Sequence, residues 1–309
     1  MPQSNGTKLI TQYKRVYSVP DDAEVTEKMI LNHWELERQL ARELLESTPE
    51  NRWEVFERCY TRFFSELGWI HRFLGQGKTT LPDERYKIWV DTIGTPPQKI
   101  FEIGSGKGEM VGYLAECGFE CRGSEVTQER GKKHLKTSIL NLSWGISDGV
   151  HLDRFESPGT YDVVVSDQVI EHLHPEDLDA HFQGVYNILV EGGRYIFRTP
   201  HRYTGPHDMT RFFNYDTSQC FHLKEYTYQE LTDMLRNTGF SCGSLATIRF
   251  KKLLSSVGIE NHGYVMLKLM LLNEKILSII PRHSLRRSFA VRLKKIGRFR
   301  DSIFLIARK

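Results

Sequence analysis

A glycine turn with a carboxylate on either side of it is the part of this sequence best equipped for chemistry on a bound ligand. Residues 99–110 read KIFEIGSGKGEM, with Ile100, Phe101 and Ile103 as a short apolar run around Glu102, followed by Gly104, Ser105, Gly106 and Gly108. An apolar run, a glycine turn and a helical stretch from Glu109 spell a buried strand that hands its chain to a helix N-terminus. Backbone N–H groups face a ligand there, and glycine lets the ligand come close. About twenty residues past the first glycine, Glu125 ends a second strand-like run, where an acidic side chain can accept both hydroxyls of a ribose. Together these features describe a site for a nucleoside-bearing cofactor.

The spacing narrows the cofactor. In a dinucleotide fingerprint, G-x-G-x-x-G, the third glycine would stand where this chain has Glu109. A phosphate loop needs Ser or Thr after its lysine, and Lys107 is followed by Gly108. A glutamate beside the turn repels phosphates and suits a cationic ligand. The pattern E-x-G-x-G-x-G resembles motif I of class I S-adenosylmethionine-dependent methyltransferases. Further matches follow in order: Ser147-Asp148-Gly149, the strand and turn YDVVVSDQVIEHL from Tyr161, and LVEGGRYIFRTP from Leu189 to Pro200. They cover roughly Lys99 to Phe240. The resemblance implies that Glu102, Gly104, Ser105, Gly106 and Gly108 shape the methionine pocket. It implies that Glu125 holds the ribose, that Asp148 and Gly149 meet the adenine, and that Asp167 and Gln168 border the methyl-donor end. S-adenosylhomocysteine is then the product.

Methyl transfer from a sulfonium is an in-line displacement that asks a protein to position reactants and exclude water, and a hydroxyl acceptor also needs a base. The loop after the presumed fifth strand, TPHRYTGPHDMTRFF from Thr199 to Phe213, holds His201, His207, Asp208, Arg202 and Arg211. An Asp beside a His can orient it, and an arginine can bind a carboxylate or phosphate. His207 is the first candidate base and His201 the second; Asp208 as the cap of a short helix is the plainer alternative. His172, after the fourth strand, is a third candidate, or a helix-start residue packed under the cofactor. A related ubiquinone-type O-methyltransferase group places two carboxylates and a histidine here that can hold a metal, but Gln168 stands at the first of them. Glu171 and His172 alone are a poor divalent site, so no metal is expected.

These residues need a doubly wound, Rossmann-like seven-stranded sheet with an antiparallel last strand. The expected organisation is 1–80 as an N-terminal arm and helical cap, 81–248 as the cofactor-binding core, 249–300 as a helical basic insertion and 301–309 as the closing strand. The first twenty residues read as a loose arm. A helix follows from Asp21-Asp22 with the stripe Met29, Ile30, Trp34, Leu36, Leu40 and Leu44. Thr48-Pro49 reads as the start of the next helix, whose aromatic side (Trp53, Phe56, Tyr60, Phe63) is a packing face or a cap over the cofactor cleft. Leu253–Ile280 is apolar at helical spacing, Pro281 breaks it, and eight arginines and lysines follow before Asp301. That insertion is a packed helix pair, a peripheral contact with an anionic membrane, or a homodimer surface.

Composition sets the outer limits. The chain has 309 residues and a net charge of +3, too small to argue for nucleic acid. It shows no secretory signal and no apolar run long enough for a bilayer. Five scattered cysteines suit a reduced, cytoplasmic protein. The expected activity is O-methylation of a small metabolite or of a glycan-, lipid-linked or peptide-type intermediate. N-methylation, a non-catalytic cofactor-binding scaffold and a nicotinamide-dependent dehydrogenase are the alternatives, the last disfavoured by the glycine spacing.

Overall fold

The computed structural model describes residues 6–71, 73, 82–126, 139–245, 262–295, 297 and 299–309. It forms two compact units, one of residues 1–81 with 206–223, the other of 82–205 with 224–309.

The larger unit is built on one sheet. Its strands are β1 (Lys99–Ile103), β2 (Glu120–Glu125), β3 (Leu142–Ile146), β4 (Tyr161–Asp167), β5 (Leu189–Pro200), β6 (Ser241–Leu245) and β7 (Ser302–Arg308), in the order β3-β2-β1-β4-β5-β7-β6. All pairs are parallel except the two made by β7, which runs antiparallel to β5 and to β6. Central strands bury both faces, so they are largely apolar, and their alternating side chains sort into two cores. Phe101, Ile103, Val164, Tyr195, Phe197 and Leu305 pack on one face. Ile100, Val163, Val165, Ile196 and Phe304 pack on the other.

Helices cover both faces. In the larger unit, α5 (Pro82–Ile93) and α6 (Glu109–Glu116) lie over the second face. The first face is covered by α7 (Leu178–Ile188), α8 (Tyr228–Thr238), α9 (His262–Ser278) and α10 (His283–Lys295). Helix α8 starts on a full capping box, Thr227 with Glu230, and stops at left-handed Gly239. The sixth strand, read as 240–248, is described only to Leu245, and 249–261 of the insertion lies outside the described residues. No helix among the described residues is long and apolar enough to cross a membrane.

Helix α7 meets the segment before β4 at Gly184. A Cβ there would lie 2.6 Å from the Val150 carbonyl oxygen and 2.9 Å from the Leu152 nitrogen, both backbone atoms that cannot step aside. Gly184→Ala therefore lowers stability by about 1–3 kcal/mol, against the usual gain of alanine inside a helix. Urea denaturation gives the sign directly.

The smaller unit holds α1 (Gly6–Tyr17), α2 (Glu27–Leu45), α3 (Arg52–Glu66) and α4 (Gly68–His71), together with 206–223. The loose arm is corrected: residues 6–17 are helical because Leu9 and Tyr13, one turn apart, are both buried. Helix α2 begins at Glu27, capped by the Thr26 side chain on Met29 N–H (3.2 Å), and not at Asp21. Helix α3 begins at Arg52, since the Asn51 side chain takes the Thr48 N–H (2.9 Å) and closes 48–51 as a turn. The segment 206–223, read as part of the core domain, belongs to this unit instead. Met209, Cys220 and Phe221 share a buried cluster with Leu9, Tyr13, Ile30 and Leu40, and Phe221 packs against Tyr60 and Phe63 of the aromatic side of α3. A buried polar chain crosses this core, from the Tyr13 hydroxyl to His33 (2.6 Å) and from His33 to Glu37 (2.7 Å).

Candidate functional site

In the larger unit the strand order reverses between β1 and β4. Chain segments leave β1 towards β2 and β3 on one side, then return to β4 on the other. Open α/β sheets bind ligands outside the carboxyl ends of the strands at such a point. The residues there are the ones singled out from the sequence.

Gly104, Gly106 and Gly108 all have positive φ (68°, 56° and 71°), and Gly108 stands as N-cap of α6. At Gly104 a Cβ would also strike Val169, 2.8 Å away. Ser105 pins the turn to β2, its N–H and hydroxyl both donating to the Ser124 carbonyl (2.9 and 3.2 Å). The Gly106 N–H donates to Glu125 Oε1 (2.6 Å), so the carboxylate at the end of β2 is drawn against the turn. Glu109, at the place of the missing glycine, takes bonds from Arg85 and the Tyr86 hydroxyl (3.0 Å each) and so ties α6 to α5.

Glu102 sits on β1 in register with Gly123 of β2 and Val165 of β4. Only 4 % of it is exposed, and its Oε2 has no hydrogen-bond partner. Burial, reinforced by the charges of Asp167 and Glu125, pushes its carboxyl up to about 8; the Val111 backbone N–H opposes the shift. A buried carboxylate oxygen with no partner is costly unless a donor or cation meets it. Asp167 at the end of β4 is neutralised by a bidentate pair with Arg198, Nε to Oδ1 at 2.7 Å and Nη2 to Oδ2 at 2.5 Å. Gln168 follows in the left-handed region (φ 60°), its N–H donating to the Arg198 carbonyl (2.8 Å). Glu102 is thus a buried acid at this edge with an oxygen left over.

After β3, Asp148 folds back on its own turn. Its Oδ1 accepts the Val150 and His151 N–H groups (2.8 and 2.7 Å), and its Oδ2 faces His151 Nδ1 (3.0 Å). Gly149 has φ 69° and its carbonyl bonds to His181. His181 bonds in turn to the Tyr195 hydroxyl (2.9 Å), and Tyr195 to Ser166 (2.7 Å). This buried chain ties the turn at Gly149 to the strand that carries Asp167. Burial holds the His181 imidazole down at about 4, so it is a neutral strut. His181, Tyr195 and Arg198 had no role in the sequence reading. For Arg198 a signal exists, since a charged residue stands between the apolar run Tyr195–Phe197 and Thr199-Pro200.

The histidines separate. His172 is half-buried on the 3-10 turn after β4, its Nε2 4.0 Å from Glu171 Oε1. Glu171 itself is fully buried and accepts the Thr199 hydroxyl (2.9 Å). His201 is corrected as a candidate base. It is 0 % exposed, with Nε2 bonded to Glu274 of α9 (2.6 Å) and Nδ1 accepting the Tyr203 N–H (3.0 Å). Both ring nitrogens are committed. Glu274 also accepts the first two N–H groups of α8, from Tyr228 (2.6 Å) and Gln229 (2.9 Å), so the pair fastens α9 to the sheet edge and to α8. His201→Ala should lower stability by about 3 kcal/mol by leaving Glu274 short of a buried partner. Chemical denaturation measures that loss, and S-adenosylhomocysteine binding by the folded variant should be unchanged. Arg202 is paired to Glu230 of α8 (3.0 Å).

In the smaller unit His207 is half-buried beside a buried Asp208. The Asp208 oxygens accept the Thr210 N–H (3.0 Å), the Ser218 hydroxyl and the His222 N–H (3.4 Å), which makes it the cap of the turn Met209–Phe212.

A family model described as a methyltransferase domain matches residues 69–245, more than half of the chain. A search of curated proteins returned no match. Among solved structures, the Burkholderia thailandensis 1,6-didemethyltoxoflavin-N1-methyltransferase, with bound 1,6-didemethyltoxoflavin and S-adenosylhomocysteine, is 11% identical with a TM-score of 0.52. The match covers 85% of this chain and 91% of that one. A SAM-dependent methyltransferase from Archaeoglobus fulgidus is 17% identical with a TM-score of 0.49, covering 81% of this chain and 99% of its own. At 11% identity the first likeness shows a shared fold.

Proposed function

Because this chain belongs to the methyltransferase-domain family, we propose that it methylates a hydroxyl group of a small metabolite or of a glycan-, lipid-linked or peptide-type intermediate. S-adenosylmethionine is the methyl donor; when bound it supplies an electrophilic methyl group on a sulfonium and departs as S-adenosylhomocysteine. The observation that carries the donor assignment to particular residues is the unpartnered Oε2 of buried Glu102 at the strand-order reversal. It suits an ammonium and is hostile to a phosphate.

On this reading Glu102 accepts hydrogen bonds from the amino group of the donor. The turn of Gly104, Ser105, Gly106 and Gly108 presents backbone to it. Glu125 takes the ribose hydroxyls. Asp148 and Gly149 form the adenine side, while Asp167 and Gln168 border the methyl end. His207 takes the proton from the acceptor hydroxyl, and His172, on the turn after β4, is the other remaining candidate. The chain otherwise positions the two reactants and keeps water out.

Thermal unfolding with S-adenosylhomocysteine, S-adenosylmethionine and NADH in parallel tests the site. A ligand at about a hundred times its dissociation constant adds about 2.7 kcal/mol. The two adenosyl ligands should raise the unfolding temperature and NADH should not. Labelled-methyl transfer to a panel of hydroxyl and amine acceptors then separates O- from N-methylation. Cofactor binding with no transfer to any acceptor would instead describe a scaffold.

A further inference from the structure

The insertion between β6 and β7 places an unusual surface on the larger unit. Seven of the twelve large apolar side chains exposed among the described residues fall between Tyr264 and Phe289. On α9 they form a stripe, Leu269 (45 %), Leu272 (53 %) and Ile276 (55 %), continued by Ile279 (77 %) just past the helix end. Steps of three, four and three residues put all four on one side of a helix. The opposite side of α9 is spoken for, since Met266, Met270 and Leu277 are buried and Glu274 is held by His201 and α8. Leu285 and Phe289, one turn apart on α10, continue the apolar surface.

Charge on this surface has one sign. From His262 to Arg300 the sequence has a single acid, Glu274, which is buried and faces inward. Lys268 and Lys275, both exposed, flank the apolar stripe on α9. On α10, Arg292 lies over the Phe289 ring (5.7 Å), which places a cation and an apolar ring on the same exposed side. An apolar stripe edged by lysine and arginine, on helices that cannot span a bilayer, is the physical description of an element that lies in a lipid–water interface.

We propose that α9 and α10 dock the protein on the surface of an anionic lipid bilayer. Leu269, Leu272, Ile276 and Ile279 enter the headgroup boundary, and Lys268, Lys275 and Arg292 meet lipid phosphates. The charge argues for lipid over a second copy of the chain, because two such faces brought together would set like charges against each other. The proposal is independent of the acceptor's identity.

Co-sedimentation with vesicles tests it. One set is pure phosphatidylcholine, and the other contains roughly a third phosphatidylglycerol, enough for a clear negative surface potential. Binding to the anionic set should be about a hundredfold tighter, each basic residue at the surface adding to it, and it should weaken steeply with added salt. Leu272→Asp with Ile276→Asp should abolish binding, and Lys275→Glu with Arg292→Glu should remove the preference for anionic lipid. Both variants alter exposed positions and should unfold at the wild-type temperature. Equal binding to both vesicle sets, or no loss in either variant, overturns the proposal. So does a concentration-dependent dimer in analytical ultracentrifugation that the aspartate pair dissolves while vesicles remain unbound. Displacement of the protein from anionic vesicles by RNA at equal charge would assign the surface to nucleic acid instead.

Discussion

Glu102→Gln should weaken S-adenosylhomocysteine binding about a hundredfold at pH 8, the worth of a hydrogen bond between charged groups, and should also erase the pH dependence of binding. In the free protein the Glu102 carboxyl is pushed up to about 8 by burial and by Asp167 and Glu125. A ligand ammonium favours its ionised form, so binding below that value releases a proton. Affinity should therefore climb with pH by up to about tenfold per unit and level off near 8. Stability of the free protein runs the other way. A carboxyl whose folded value lies above its unfolded one favours folding while protonated, and that contribution fades as pH rises from 4.5 to about 8. Glutamine cannot ionise, so the variant should hold its stability across the same interval and exceed the wild type at pH 8. Isothermal titration across pH 5.5–8.5, beside urea melts at the same pH values, reads both quantities. A glutamate that served only the fold would lose stability on substitution and leave the binding profile in place.

His207→Ala should lower turnover about a hundredfold, the usual contribution of a positioned base, with S-adenosylhomocysteine affinity unchanged. His207 is half-buried, and Asp208 beside it is occupied with Thr210, Ser218 and His222. Added imidazole should restore part of the activity of the alanine variant, a rescue that a packing defect would not show. His172→Ala serves as the comparison on the β4 edge. Full turnover by the His207 variant on a hydroxyl acceptor would transfer the role elsewhere, and full turnover on an amine acceptor alone would favour N-methylation.

The parts of the site that were readable in advance are those encoded within a few residues. An apolar strand, three glycines and a helix start occupy 99–110, and their geometry follows from local rules. Glu125 and Asp167 were placed because each ends a strand, and strand ends converge where the sheet order reverses. The setting of His201 is not legible in the sequence because its partner lies 73 positions away on α9, and nothing near His201 announces a buried glutamate. Asp208 offered a capping role and an orienting role at equal weight. The capping role is the one seen, since Thr210 N–H is two residues off and needs no tertiary contact. Helix α1 is not legible because only Leu9 and Tyr13 in it are buried, too few to make a stripe in the sequence. The membership of 206–223 depends on Met209, Cys220 and Phe221 finding a core made by residues more than a hundred positions earlier.

Strand β7 lies inside the sheet, between β5 and β6, although it is the last strand along the chain. During synthesis β5 must therefore wait for some hundred further residues before its outer edge is paired, and β6 has no place to join until 302–308 arrive. Closing so long a loop is slow, and until it closes β5 presents an open edge, the kind that recruits strands from other chains. Yield in a cell should then depend more on how crowded nascent chains are, and on how fast residues 246–301 are translated, than on the equilibrium stability of the finished fold.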